Sequence, residues 1–418
     1  MSLHTDMQKI GEQAVGASRE LLLLNARRKN AILGLMADEL ETRRDAIGEA
    51  NAKDLEDGRQ AGLSAAMLDR LELTESRFAS MVKGLREVAA LKDPIGSTIS
   101  RWLRPNGLEI IKRRVPIGVI GIIYESRPNV TADTAALCIK TANAIILRGG
   151  KEAIHSNAAI ADALRVGGMR KGLPEYAIQF IATTDRNAVR ELVQMEDSVD
   201  LVIPRGGEAL IEAVTSQARV PVIKHYKGVC HTYVDESADP EEALEIAENA
   251  KCQRPGVCNA METLLVHEGI AETFLPAVAD RLGKLGVELR GDEAARRIVP
   301  SMKPAGEEDW RAEYLDLILA VRVVPTVKAA IEHINRYGSH HSDAIVATNE
   351  TAQKAFTREV DSATVYINAS TRFTDGGEFG MGAEIGISTD KIHARGPMAL
   401  EELTTYKYVI YGQGQIRE

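Results

Sequence analysis

The first part of the chain has the pattern of amphipathic helices. From residue 7 to about residue 90, apolar positions recur three and four apart, as in Ile32, Leu33, Leu35, Met36 and Leu40. Alanine, leucine, glutamate, arginine and lysine dominate this stretch, and all of them are good helix formers. The pattern therefore predicts a series of helices with few residues that do chemistry, packed onto a larger α/β body.

The pattern changes after residue 93. Residues 108–115 alternate apolar and charged side chains, which predicts an exposed strand or hairpin. Residues 117–124 form a continuous apolar run of strand length, as in a parallel strand that is buried on both faces. A polar loop over 125–130 and a helix over 133–142 are predicted to follow.

Two glycine-containing turns follow predicted strands. A strand over 144–147 leads into Arg148-Gly149-Gly150-Lys151, and a strand over 201–203 leads into Pro204-Arg205-Gly206-Gly207. Strand, helix, strand and glycine turn are the βαβ pattern of a doubly wound sheet, whose ligands bind at the carboxyl ends of the strands. Neither turn matches G-x-G-x-x-G, so phosphate binding and a plain connecting turn both remain open for each.

The same alternation extends to the end of the sequence and predicts a second α/β half. Further helices are predicted over 155–166, 186–196, 208–215, 240–250, 271–285 and 328–335. Further strands are predicted over 177–181, 220–223, 229–234, 263–267, 317–324, 344–347, 365–368 and 406–411.

Composition narrows the class of protein. A chain of 418 residues exceeds the usual size of one core, so two or more domains are expected. The net charge of −9 argues against a nucleic-acid-binding surface. No apolar run reaches the length of a membrane span, and the N-terminus lacks the order of a signal peptide. Four cysteines are too few for a disulfide framework, which favours the reducing cytoplasm.

Residues 251–260, Lys-Cys-Gln-Arg-Pro-Gly-Val-Cys-Asn-Ala, are the strongest candidate for chemistry. Only Cys258, the second of the two cysteines, follows a Pro-Gly break. A thiol at the start of a helix is made reactive by the helix dipole, and we expect Cys258 to occupy such a position. The alternative is that Cys252 and Cys258 are both small buried apolar residues. Adjacent His340 and His341 point apart in regular structure and have no zinc-site spacing around them, so no metal is expected.

Six separated segments together carry a resemblance to a known family. They are residues 115–120, 124–131, 253–259, 333–343, 368–377 and 393–398. In this order they resemble the aldehyde dehydrogenase superfamily over nearly the whole chain.

The resemblance implies an α/β fold of two doubly wound domains plus a small β oligomerisation element. Residues 1–225 would form the N-terminal helices and an NADP-binding Rossmann-like domain, with a hairpin over 108–116 in the oligomerisation element. Residues 226–395 would form the catalytic domain, and 396–418 the C-terminal oligomerisation strand.

The resemblance also implies an activity, with Cys258 as the nucleophile. Its closest form within the superfamily is the reduction of L-glutamyl 5-phosphate by NADPH through a Cys258 thioester, the second step of proline biosynthesis. An acyl-CoA reductase or another enzyme of the same fold is the alternative. A non-catalytic scaffold protein would be expected to have lost the thiol.

Residue roles are carried over from the resemblance position by position. The Cys258 N–H would bind the developing oxyanion, with Arg127 or Asn129 as a second donor; Arg127 could equally hold the substrate phosphate. Substrate contacts would come from Asn368, Ser370, Thr371 and Arg372. Cofactor contacts would come from Arg148, Gly149, Gly150, Lys151, Arg205, Gly206, Gly207 and Asp316.

Two departures from the oxidising relatives refine this interpretation. His225 stands where those relatives place a water-activating glutamate, which favours reduction; a plain structural role for His225 is equally open. Arg148 and Lys151 stand where they place a lysine and an acid, which favours the 2′-phosphate of NADPH. A homo-oligomer is expected. Whether a separate glutamate 5-kinase binds the chain stays open.

Overall fold

The computed structural model describes residues 2–224 and 227–417, and it divides into two compact units. The described part of unit 1 consists of residues 2–224, 380–386 and 398–417. That of unit 2 consists of residues 227–379 and 387–397. His225 lies outside the described residues, so its predicted position is not located.

Helices and strands alternate through most of the chain after residue 116. The helices are α1 (Leu3–Leu21), α2 (Ala26–Thr42), α3 (Arg44–Gln60), α4 (Ala65–Leu71), α5 (Glu75–Ala90), α6 (Asn129–Lys140), α7 (Ile154–Met169), α8 (Asn187–Leu192), α9 (Glu208–Thr215), α10 (Pro240–Cys252), α11 (Glu268–Lys284), α12 (Glu293–Ile298), α13 (Val327–Tyr337) and α14 (Glu350–Glu359). The strands are β1 (Thr98–Leu103), β2 (Glu109–Pro116), β3 (Val119–Tyr124), β4 (Ala144–Gly149), β5 (Ile178–Phe180), β6 (Leu201–Arg205), β7 (Cys230–Val234), β8 (Met261–His267), β9 (Glu288–Gly291), β10 (Lys303–Pro304), β11 (Ile318–Val324), β12 (Ser342–Val346), β13 (Thr364–Ile367), β14 (Ile387–Ser388), β15 (Gly396–Pro397) and β16 (Thr404–Tyr411).

Unit 1 is built on a parallel sheet in the order β5-β4-β3-β6. Every residue of β3 and β4 is buried, as expected for apolar strands covered on both faces. The N-terminal helices begin where the sequence offers a capping side chain; Asn25, Ser64 and Thr74 each accept a backbone N–H of the first turn. Helix α2 packs against α5 and α7.

A second sheet of unit 1 is antiparallel, in the order β1-β2-β16. Strand β16 pairs with β2 over its full length, from Thr404 opposite Pro116 to Tyr411 opposite Glu109. The strand predicted over 108–115 is thus confirmed as β2. Its hairpin partner β1 was not predicted, because all of its residues are exposed and no apolar alternation marks it.

Unit 2 is built on a parallel sheet in the order β10-β9-β11-β8-β7-β12-β13. Strands β7 and β8 lie side by side near its centre and are almost entirely buried. The core on one side is formed by apolar residues of β8 and β11 with helices α10 and α11. Strand β8 follows α10 after eight residues, and those residues include Cys258.

The helix predicted over 133–142 is confirmed as α6, but it begins earlier, at Asn129, since Pro128 suits the start of a helix and the apolar pattern understates its first turn. One predicted strand was wrong. The strand predicted over 220–223 is a single bridge between Val202 and Val222. None of the helices in the described part of the chain combines the length and the apolar character that a membrane crossing requires.

A glycine pair in unit 1 tests how closely α2 and α7 pack. A Cβ on Gly167 of α7 would lie 2.5 Å from the Leu35 carbonyl oxygen of α2, whereas a Cβ on Gly34 would meet no atom within 4 Å. We expect Gly167→Ala to destabilise the protein by ~1–3 kcal/mol because backbone atoms must move apart. Gly34→Ala should be neutral or stabilising by up to ~1 kcal/mol. Urea unfolding measures both, and equal midpoints would contradict the packing described.

Candidate active site

Cys258 lies half-buried in a turn between α10 and β8, here called the cysteine loop (residues 253–260). The predicted position at the start of a helix was wrong. Helix α10 ends at Cys252, and the apolar run that begins at Met261 is a central strand of the sheet of unit 2. The strand predicted over 263–267 is confirmed as β8 by its pairing with β7 and β11, so the chain enters a strand and not a helix after the cysteine loop. A helix dipole therefore does not act on Cys258 from this run.

The backbone of Cys258 is placed by a glycine on the neighbouring strand connection. A Cβ on Gly228 would lie 1.7 Å from the Cys258 carbonyl oxygen, so only glycine fits there. The Gly228 N–H donates to the Glu313 carboxylate at 2.8 Å. The buried thiol of Cys230 donates to the same Cys258 carbonyl at 3.2 Å. These contacts fix the rear of the cysteine loop.

Asn259 anchors the front of the loop to residues 371–374. Its amide nitrogen donates to the Thr374 carbonyl at 2.8 Å, and its carbonyl oxygen accepts the Thr371 hydroxyl at 2.7 Å. The Asn259 side-chain oxygen accepts a bond from the Arg372 guanidinium. The residue next to the thiol is therefore held at three points.

Arg372 reaches both sides of Cys258. Its Nε donates to Gln253 Oε1 at 2.9 Å, in addition to its bond with Asn259. Burial is the main cause that lowers the pKa of Arg372, and the nearby Arg254 lowers it further. The guanidinium thus closes the cysteine loop and lies within electrostatic range of the Cys258 sulfur.

The other predicted substrate residues differ in what they touch. Ser370 is buried and accepts the Arg372 N–H, which starts a short 3₁₀ turn. Asn368 has a positive φ of 51° and pairs its amide with the backbone of Ala347, at 2.9 and 3.1 Å. The structure therefore brings Thr371 and Arg372 to the cysteine loop and commits Asn368 to a neighbouring turn. Their contacts with substrate stay predictions.

The remaining cysteines of the described chain lie in helices or strands. Cys252 is the last residue of α10, and burial followed by the Glu248 charge raises the pKa of its thiol. Cys230 and Cys138 are fully buried, and burial raises the pKa of both thiols. Cys258 is the thiol that lies outside the helices and strands.

In unit 1, the first glycine turn exposes one of its two cations. Arg148 is 7% exposed, at the end of β4, and burial lowers the pKa of its guanidinium. Lys151 is exposed at the start of a short 3₁₀ helix. Gly149 and Gly150 are tightly enclosed, since a Cβ would lie 2.1 Å from Asn157 Nδ2 and 2.0 Å from Glu152 Oε1 respectively.

The second glycine turn is bound by a carboxylate that the sequence did not single out. Glu125 accepts the Gly207 N–H at 3.0 Å, and a Cβ on Gly206 would lie 2.3 Å from the same carboxylate. Arg205, at the end of β6, packs its guanidinium over Gly386, where a Cβ would lie 2.3 Å from Nη1. On the other side of the same loop, Glu152 accepts the Ser126 N–H at 2.7 Å. Two carboxylates thus tie the loop after β3 to both neighbouring turns.

Three candidates remain, namely Arg127, Asn129 and Asp316. Arg127 is exposed in the loop after β3. Asn129 is the first residue of α6 and donates its amide to Asp133 at 2.8 Å, where burial raises the pKa of that carboxyl to about 6. Asp316, in unit 2, is exposed and accepts the N–H of Leu317 at 2.7 Å.

The adjacent histidines have protein partners. His340 donates Nδ1–H to the Asp361 carbonyl at 2.5 Å, and the buried His341 lies beside Ser342 at 2.9 Å. Within residues 2–224 and 227–417, no group of three or more potential ligands is arranged to hold a metal ion.

Comparison with known proteins decides the family. The model of the aldehyde dehydrogenase family matches residues 2–304. The chain belongs to the aldehyde dehydrogenase family. The gamma-glutamyl phosphate reductases of Geotalea daltonii and Moorella thermoacetica are 54% and 56% identical to it, each over 418 residues and 100% of both chains. The crystal structure of gamma-glutamyl phosphate reductase from Thermotoga maritima has a TM-score of 0.97 and 49% identity, covering 99% of this chain and 100% of that one.

These matches confirm the aldehyde dehydrogenase-like α/β fold that the six segments predicted. An acetylating aldehyde dehydrogenase from Geobacillus thermoglucosidasius shares the fold with a TM-score of 0.68 at 18% identity, over 100% of this chain and 98% of that one. In this aldehyde dehydrogenase-family chain, the residues that sequence reasoning missed are Gly228, Cys230, Glu125 and Glu152. Only Gly228 had a signal, as a glycine directly before a predicted strand.

Gly228 and Gly256 form a matched pair that tests the close approach behind Cys258. Gly256 lies in the cysteine loop itself, but a Cβ there would come no nearer than 3.8 Å to another atom. We expect Gly228→Ala to cost ~1–3 kcal/mol in stability and to change the rate at which iodoacetamide alkylates Cys258, since the loop must move away. Gly256→Ala should leave both nearly unchanged. Urea unfolding and peptide mapping measure the two effects, and equal behaviour of the variants would refute the contact.

Proposed function

We propose that the chain catalyses the NADPH-dependent reduction of L-glutamyl 5-phosphate to L-glutamate 5-semialdehyde and phosphate, the second step of proline biosynthesis from glutamate. The observation that carries this proposal is the full-length similarity to enzymes named gamma-glutamyl phosphate reductase, at 54–56% identity. The firmly held Cys258 loop supports it, because covalent catalysis needs a nucleophile in a fixed position.

The proposed chemistry begins at Cys258. The thiolate forms a bond to the acyl carbon of glutamyl phosphate, the C–O bond to phosphate breaks, and phosphate leaves with the electron pair. Bound NADPH supplies the hydride that reduces the resulting thioester. The C–S bond of the thiohemiacetal then breaks, which returns the Cys258 thiolate and releases the aldehyde. Splitting the reaction this way replaces one difficult step with easier ones.

The oxyanion at the acyl carbon needs donors that are already in place. We propose the Cys258 backbone N–H as one, since this loop is held by Gly228 and Asn259. Arg127 is exposed and fits either a second donor or a contact to the departing phosphate. Asn129 is less suited, because Asp133 already accepts from its amide nitrogen.

The aldehyde dehydrogenase family uses a nicotinamide cofactor, and the glycine turns of unit 1 fit such a group. A Cβ at Gly149, Gly150 or Gly206 would meet the Asn157, Glu152 or Glu125 side chain, so glycine allows these polar side chains to lie against the backbone of the turns. Lys151 presents an exposed cation at the edge of the sheet, where an acid would repel a 2′-phosphate. We therefore propose NADPH, held through Lys151, with Arg148 acting from its buried position, the Arg205–Gly207 turn on the pyrophosphate and Asp316 on a ribose.

We also propose that the chain forms a homo-oligomer through the antiparallel sheet of unit 1. On one face of this sheet, strands β1 and β16 expose Trp102, Tyr406, Tyr408 and Ile410, each at least 39% exposed, and the Trp102 and Tyr408 rings are 6.2 Å apart. Such a contiguous apolar face is typical of an interface.

All four cysteines are free, which suits a reducing compartment such as the cytoplasm. A glutamate 5-kinase is the class of enzyme that would supply the acyl phosphate.

Substitution of the two loop cysteines tests the proposed nucleophile. Cys258→Ala should reduce kcat to background while NADPH binding, measured by fluorescence, persists, because only the covalent step is lost. Cys252→Ala should keep most of the activity, since that thiol ends a helix and its pKa is raised by burial.

The same assay, run in reverse with pyrroline carboxylate and NADP, tests the acyl donor. Turnover should require inorganic phosphate and should not respond to coenzyme A. Turnover without phosphate, or activity that depends on coenzyme A, would favour the acyl-CoA reductase alternative.

Charge reversal at Lys151 tests the cofactor preference. Lys151→Glu should lower kcat/KM for NADPH relative to NADH by ~10–100-fold, because a charge-assisted contact to the 2′-phosphate is worth ~1.5–3 kcal/mol. Lys171→Glu, an exposed charge reversal elsewhere in unit 1, serves as the control and should leave the ratio unchanged. An unaltered ratio in Lys151→Glu would contradict the assignment.

A further inference from the structure

A fully buried ion pair brackets the cysteine loop. Lys251 lies in the last turn of α10, Glu262 is the second residue of β8, and residues 253–260 run between them. The Lys251 Nζ and Glu262 Oε2 atoms are 2.6 Å apart, and both side chains are 0% exposed. The pair therefore joins the two ends of the segment that carries Cys258.

Stability alone does not account for this pair. Burying two charges costs several kcal/mol per ion, and well-packed apolar residues of similar size are often neutral or better. Burial raises the pKa of Glu262 to about 7, even though Lys251 acts in the opposite direction. Connecting the helix to the strand through a buried charge pair therefore costs more free energy than an apolar contact would.

The pair also reaches the support behind Cys258. The second oxygen of Glu262 accepts the N–H of Leu315 at 3.1 Å, where Leu315 has a left-handed backbone with φ 53°. Two residues earlier, Glu313 accepts the N–H of Gly228, and Gly228 lies directly against the Cys258 carbonyl. The ring of Tyr314 faces the Lys251 ammonium at 5.9 Å. Residues 313–315 thus connect the ion pair to the rear of the cysteine loop.

We propose that Lys251 and Glu262 are positioning residues, which set the place of Cys258 by fixing both ends of its loop and the 313–315 segment that supports Gly228. The pair touches neither the acyl carbon nor the cofactor in this role. The inference rests on the proposed function for its kinetic consequence, and on the structure alone for its effect on the thiol.

The test replaces the pair with apolar residues in the full-length enzyme. Lys251→Met with Glu262→Leu removes both charges and the acceptor for Leu315 while keeping volume. We expect the variant to unfold cooperatively at or above the wild-type temperature. Its kcat should fall ~10–100-fold, the range expected when a reacting group moves by up to ~1 Å. KM for glutamyl phosphate should change little.

A conservative variant separates positioning from packing. Lys251→Met with Glu262→Gln removes both charges but keeps an oxygen for the Leu315 N–H, and it should recover part of the kcat lost in the first double variant. If the double variant fails to fold, Glu313→Ala decides, since Glu313 is half-buried and its loss removes the support of Gly228. That variant should lower kcat without lowering the unfolding temperature. The matched control is Lys284→Met with Asp280→Leu, an exposed pair at the same 2.6 Å, which should leave kcat unchanged.

Alkylation of Cys258 gives a readout that does not depend on the substrate. The rate at which iodoacetamide modifies Cys258 should differ several-fold in the double variant, because the loop that Arg372 closes through Gln253 and Asn259 is displaced. If the wild-type protein did not turn over glutamyl phosphate, the proposed function would be wrong, but the alkylation rate of Cys258 would still test the positioning role. Wild-type kcat or wild-type alkylation in a folded double variant, or wild-type kcat in Glu313→Ala, would overturn the positioning role.

Discussion

The contact between Gly228 and the Cys258 carbonyl is the constraint on which the candidate site of unit 2 depends. A Cβ at residue 228 would lie 1.7 Å from that oxygen, so the two backbones meet without any side chain between them. The contact exists because β7 and β8 are neighbours in the sheet and the loops before them run side by side. The positions of the two strands therefore determine the position of the cysteine loop, and the hydrogen bonds of Asn259 hold the loop at a second place.

Carboxylates perform a corresponding task in unit 1. Glu125 and Glu152 accept backbone N–H groups on either side of the loop that follows β3. Hydrogen bonds to charged acceptors are stronger than those between neutral groups, so these two carboxylates hold the loop and the glycine turns in one arrangement. The sequence analysis named cations and glycines in these turns, whereas the structure shows that two acidic residues hold them. The exposed Lys151 adds a positive charge to the first turn.

The local sequence pattern was sufficient to predict the buried strands and the amphipathic helices. Buried strands such as β3 and β4 have continuous apolar runs, and the N-terminal helices have clear periodicity and caps. Cys258 was expected at the start of a helix because a Pro-Gly break precedes it, although a strand was predicted from residue 263. The structure confirms the strand and places Cys258 in the turn before it. The Pro-Gly break singled out Cys258 as a candidate, and the resemblance supplied its role as the nucleophile and the roles of the other site residues. The contacts of Gly228 and Arg372 bring together residues that are distant in sequence, and no local signal predicts them.

The pairing of β16 with β2 has a consequence for the order in which the chain acquires its structure. Arg114 and Thr404 hydrogen-bond across 290 positions, and β16 is synthesised after every strand of unit 2. During synthesis the β2 edge that β16 will cover is therefore an open edge, which is a template for pairing with other chains. All strands of unit 2 are synthesised before β16. Unit 1, whose synthesis begins first, is therefore completed last. Until β16 is synthesised, the open edge of β2 is protected only if chaperones bind the nascent chain or if synthesis of the remaining residues is fast.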